Sequence, residues 1–117
     1  MKAELRSIWS IDTEDLATWK PPNEAYALHV RLMVGSQGED GEESFDLTLC
    51  STAWLRELAE DERIFDPRHH LILDRFNWPK VEEYLVQRVA RCEADTWQEV
   101  AAKLGRLGHW EFEDYTD

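Results

Sequence analysis

Cysteine is scarce, basic residues are few, and no long apolar run occurs. The two cysteines, Cys50 and Cys92, stand far apart, in neither a metal-binding nor a redox spacing. In a reducing cytosol both stay free thiols, and a buried free cysteine behaves as a small hydrophobe. Lys and Arg number 13 against 25 Asp and Glu, a net charge of −12 with histidine neutral. So acidic a chain lacks the basic footprint of a sequence-independent nucleic-acid binder and suits anionic membranes poorly. The N-terminal stretch from Met1 to Arg6 alternates charged and apolar residues, which matches neither a signal peptide nor a membrane span. The expected location is the cytoplasm, with no nucleic acid and no membrane as partner.

Catalytic signatures are missing as well. There is no Gly-x-Ser-x-Gly elbow, and neither cysteine has a histidine near it in a nucleophile motif. The glycine-bearing turn from Gly35 to Gly41 follows a strand, but the acids beside it would repel a phosphate. The histidines are His29, His69, His70 and His109. Adjacent His69 and His70 point to opposite faces if they lie on a strand, which makes a poor chelate, and His29 falls on the polar face of its own strand. No metal, no cofactor and no catalytic residue is expected. Acid pairs such as Glu42–Glu43 and Glu111–Glu113 imitate a glycosidase dyad, but 25 acids in 117 residues produce such pairs by chance.

What remains is material for a folded domain. With 43% hydrophobic and 11% aromatic residues, disorder is not expected. The 117 residues fit a single domain spanning 1–117, which buries roughly two-thirds of its unfolded surface. Ala3, Leu5, Ser7, Trp9 and Ile11 alternate with polar residues as in a half-buried strand, with Ile8 out of phase. A polar connection from Asp12 to Asn23 follows. Tyr26, Leu28, Val30, Leu32 and Val34 then form one strand face, and Phe45, Leu47 and Leu49 another. The two runs read as an antiparallel hairpin with a long acidic loop.

The second half reads as mostly helical. Ser51 or Thr52 caps a short helix carrying Trp54, Leu55 and Leu58. His70 to Leu73 reads as a fourth, interior strand. Asn77 with Pro79 starts a helix whose stripe is Val81, Tyr84, Leu85, Val89 and Cys92. Thr96 to Glu99 matches a capping box, followed by Trp97, Val100, Ala101 and Leu104 and a stop at Gly105 or Gly108. Alternation from His109 to Tyr115 suggests a terminal strand. The expected fold is α+β: a mainly antiparallel sheet of four or five strands with about three helices packed on one face.

Two features rise above this background. The acids are bunched: Glu39, Asp40, Glu42 and Glu43 on the hairpin loop, four more at the end of the first helix, and Glu111, Glu113, Asp114 and Asp117 at the C-terminus. Such clusters either solvate the surface or steer a basic protein partner. There are also six tryptophans. Trp54, Trp78 and Trp97 fall in first helical turns, where core anchors are expected. Trp110 lies among acids, either as an interface anchor or packed on the sheet. The candidate partner-binding residues are therefore Glu39, Asp40, Glu42, Glu43, Trp110, Glu111, Glu113 and Asp114.

The run Gly41-Glu42-Glu43-Ser44-Phe45-Asp46-Leu47, with Cys50 and Trp54-Leu55, resembles the middle of the immunity protein 8 family. Asp95-Thr96-Trp97-Gln98-Glu99-Val100, Lys103-Leu104 and Gly108-His109-Trp110-Glu111-Phe112-Glu113-Asp114-Tyr115 resemble its closing motif. The resemblance runs from the first strand to Tyr115. It implies a non-enzymatic antidote of bacterial polymorphic toxin and contact-dependent inhibition systems, which binds and blocks a cognate toxin domain in the cytoplasm. An acidic surface suits a basic toxin such as a nuclease, whose phosphate contacts acids can imitate. Two other readings fit the residues: a small enzyme using His29, His69 or His109 as base, and an acidic adaptor.

Overall fold

Alternation in the two longest strands decides where the core lies. In the computed structural model, which describes residues 1–113, the elements run β1 (Ala3–Trp9), β2 (Ala27–Ser36), β3 (Glu43–Ser51), α1 (Thr52–Glu62), β4 (His70–Leu73), α2 (Trp78–Ala90), α3 (Trp97–Leu104) and β5 (His109–Trp110). Leu28, Val30 and Leu32 of β2 stand opposite Leu49, Leu47 and Phe45 of β3 in an antiparallel register, and all six are buried. Against this face lie Val81, Leu85 and Val89 of α2 and Val100, Ala101 and Leu104 of α3. Each such large apolar side chain contributes roughly 1.5–3 kcal/mol on burial. The result is the expected α+β arrangement: a five-stranded, mostly antiparallel sheet with three helices.

The sheet order is β1-β2-β3-β4, and β5 also pairs with β3. The two short strands share one edge of β3. β4 runs parallel beside Thr48–Ser51, and β5 runs antiparallel beside Phe45 and Asp46. β4 was expected inside the sheet, yet it is an edge strand, with Leu71 and Leu73 half-buried and Ile72 exposed. A short apolar run looks the same in either position; its place here follows from α1, which carries the chain across to a parallel neighbour. The outer strand β1 is tied to the end of α2 by Ala3 N–H to Cys92 O and Ala94 N–H to Met1 O.

β1 carries the largest departure from the expected pattern. Leu5 pairs with Val34, but the next paired residue, Ser7, meets Met33, so Arg6 is the extra residue of a bulge. The bulge reverses the facing of everything after it. Ile8, out of phase in the sequence, pairs with Leu32 and packs on the core with Leu5. Trp9, expected on the same face as Ala3 and Leu5, turns to the other side of the sheet opposite Arg31.

The helix starts follow their capping residues. Ser51, Asn77 and Thr96 accept hydrogen bonds from the backbone N–H groups of Trp54, Lys80 and Glu99, and α3 stops at Gly105. Tyr84, expected in the buried stripe of α2, is exposed, because only Val81, Leu85 and Val89 face the sheet. The polar connection after β1 also turns out to have an apolar side: Leu16 is buried, and Trp19 packs edge-on against Tyr26 and Phe76. Of the expected terminal strand, His109 and Trp110 are strand and residues 111–113 form a turn; Asp114 and Tyr115 lie outside the described residues.

Candidate partner-binding surface

The acidic hairpin loop is held from below. The bulge aims Arg6 beneath it, where its guanidinium donates to Ser36 O at 3.0 Å and to Glu39 O at 2.5 Å. Gly38 and Gly41 take positive φ values of 83° and 93°, the left-handed region that glycine tolerates best. Glu39, Asp40 and Glu42 are exposed on this loop. Glu43 begins β3, half-buried, and accepts a hydrogen bond from the Trp110 indole N–H. A cavity of about 350 Å3 lies under the loop, lined by Ser36, Glu39, Asp40, Glu42, Glu43 and Trp97.

Trp110 is half-buried rather than a free anchor. Its ring stacks on Phe45 with centroids 6.4 Å apart, and Phe112 meets it edge-on at 5.9 Å. Glu111 is exposed beside it. Glu113 is partly covered and pairs with Arg68 at 2.5 Å and, more loosely, with His109 at 3.9 Å. Of the eight sequence-derived candidates, seven are described and Asp114 falls outside the described residues. The fold brings the loop and the C-terminal segment together at one corner of the sheet through Glu43 and Trp110. The acids at the end of α1 do not join them; they sit on a helix with no basic residue in its last turn, closed by Arg63 in the left-handed region.

A second surface was not anticipated. α2 and α3 cover one face of the sheet, whereas α1, expected on that face too, buries no residue in the core and stacks Trp54 on His70 at the edge; the face opposite α2 and α3 carries a hollow of about 340 Å3. Across it Trp9, Arg31 and Asp46 stand in register on neighbouring strands, with His29, Thr48 and His70 in the parallel row; His109 of β5 continues the first row beyond the hollow. Arg31 grips Asp46 in a bidentate pair at 2.7 and 2.9 Å and lies over the Trp9 ring at 5.4 Å. The Asp46 hydrogen bonds hold the Arg31 guanidinium above even its ordinary range. A pair this open to water adds under about 1 kcal/mol of stability, so its main effect is to fix geometry. Asp12 accepts from the His29 backbone N–H at 2.8 Å and lies 3.4 Å from its Nδ1.

His29, His69 and His70 line this hollow. His69 precedes β4 with a positive φ of 63°, and both it and His70 line the hollow, their rings turned to different partners. His69 Nε2 lies 2.6 Å from Gly105 O, and its ring meets that of His109 at 5.8 Å. His70 is stacked on Trp54, with Phe65 edge-on to both. Among the described residues, no group of three or more His, Cys, Asp or Glu side chains is arranged to hold a metal ion. The one sequence signal for this face was the misfit of Ile8, which marks the bulge that turns Trp9 outward.

Among the described residues no helix is long and apolar enough to cross a membrane. No curated protein and no solved structure matches the chain. The model of the immunity protein 8 family matches residues 3–115, nearly the whole chain, so this chain belongs to that family and is an immunity protein against a toxin.

Proposed function

We propose that this protein works in the cytoplasm without catalysis, by binding a basic cognate toxin domain through its acidic corner and blocking it. The observation that carries this reading is the Glu43–Trp110 hydrogen bond, which joins two separately acidic segments into one surface. Glu39, Asp40 and Glu42 stand exposed on one side of the junction and Glu111 on the other. Concentrated negative charge raises the encounter rate with a basic partner, and carboxylates can take the places where a nuclease binds phosphates.

The test is surface plasmon resonance against the toxin domain encoded beside this gene, at two salt concentrations. Glu39→Lys with Asp40→Lys should slow association, most at low ionic strength, because exposed charges act over a Debye length that salt shortens. Association as fast as wild type at both salts would show that the loop is only a solvated turn.

A further inference from the structure

We propose, on the reading that this protein binds a toxin, that the uncovered sheet face is the centre of the interface. Its occupant is a Lys or Arg side chain of the toxin, seated in the hollow between Trp9, His29 and Thr48. Three observations carry this.

The first is exposure. Trp9 is 43% exposed and Ile11 79%, and both line a hollow on the sheet face that α2 and α3 leave free. The bulge at Arg6 places Trp9 there; without it the ring would face the core side with Leu5. Exposed tryptophan over a concave floor is the kind of feature that anchors an interface.

The second is charge. The cations near the hollow are already matched within the chain, Arg31 by Asp46 and Arg68 by Glu113. Asp12, at the His29 edge, and Glu111, close enough to act on Arg31, add two further carboxylates. Among these named side chains, carboxylates outnumber the guanidinium groups. The Trp9 ring, two carboxylates nearby, and the Thr48 hydroxyl and imidazole nitrogens as acceptors suit a cation better than an anion.

The third is continuity. Asp46 pairs with His109 on the open face, and Glu111, just beyond His109 and close enough to act on Arg31, ties this face to the C-terminal acids. The two surfaces then divide the work: the loop sets association, and the hollow sets how long the complex lasts.

The experiment uses the same toxin domain with Trp9→Ala, Ile11→Ser and Asp12→Asn variants, each checked by thermal melting. Trp9→Ala should weaken binding at least tenfold through faster dissociation, with little dependence on salt, while association stays within twofold. Ile11→Ser, at a position too exposed to affect folding, should weaken it severalfold and keeps the test alive if Trp9→Ala melts early. Asp12→Asn should weaken it too. Wild type that binds while the Trp9 and Ile11 variants bind equally well would overturn the proposal and leave toxin binding intact. Wild type that fails to bind would overturn toxin binding itself. Sedimentation of wild type and Ile11→Ser covers a second copy of this chain as occupant: a wild-type dimer lost in the variant, with toxin affinity unchanged, would also overturn it.

Discussion

Trp110 donates its indole N–H to Glu43, 67 positions earlier in the chain, at 2.5 Å. The bond fixes the C-terminal segment to the base of the acidic hairpin. It also explains why an aromatic ring among acids is compatible with a folded edge: the ring rests on Phe45 and its one polar atom is satisfied by a carboxylate.

Trp110→Ala should therefore act on stability. It removes the stack on Phe45 and leaves Glu43 without its donor, a combined loss of roughly 3 kcal/mol. Trp110→Phe keeps most of the stacking and should cost only about 1 kcal/mol, the worth of the hydrogen bond. Urea unfolding of Trp110→Phe, Glu43→Ala and the variant carrying both gives a double-mutant cycle. Additive losses would show that the two residues are not coupled.

Gly35 tests how the loop is held. A Cβ at this position would stand 2.4 Å from Gly41 O and 2.6 Å from Nη2 of Arg6. The arginine can swing away, but the loop backbone must move. Gly35→Ala should cost about 1–3 kcal/mol and release Arg6 from Ser36 O and Glu39 O. Amide exchange should quicken at Glu39, whose N–H is bonded to Ser36 O. Unchanged exchange there would mean that the loop keeps its shape without the arginine.

The parts of the fold that sequence shows are those encoded by near neighbours. β2 and β3 bury one face each, so alternation alone marks them, and the caps Ser51, Asn77 and Thr96 act within three residues. The bulge at Arg6 is a register choice between two strands, and Ile8 is its only local trace. The edge position of β4 follows from the crossover through α1, and β5 takes another part of the same edge of β3 from the far end of the chain. The same holds for the site. Both acidic segments are legible, but their junction is a contact across the fold, and the hollow exists only once strands from both halves lie side by side.

Tyr26 offers a substitution that should not harm. Its ring packs edge-on to Trp19 at 5.8 Å and Phe76 at 6.3 Å, while its buried hydroxyl has no hydrogen-bond partner among the described residues. Tyr26→Phe keeps the ring contacts and removes an unsatisfied polar group. Stability should stay level or rise by up to about 1 kcal/mol. A loss above about 1 kcal/mol in denaturant unfolding would reveal a partner for the hydroxyl in solution.

Cys50 should make stability fall in alkaline solution. Its side chain is fully buried in β3, and burial pushes the thiol from 9.0 up to about 11. In the unfolded chain the thiol loses its proton near the ordinary value; in the folded protein it keeps it. Between pH 9 and 11 the native state thus binds more protons than the unfolded one, and stability drops as pH rises. Below pH 9 the contribution is fully present; across the window it is lost, by about 2–3 kcal/mol in all. Tyr26 is pushed upward too, by burial first and then by Cys50 and Asp74, so it adds in the same direction at higher pH. Urea unfolding from pH 8 to 11 of wild type and Cys50→Ala separates the two. The variant should start slightly less stable, from the small cavity, and then lose less over the window. Parallel pH curves would show that the Cys50 thiol ionises in the folded protein as readily as in the unfolded chain.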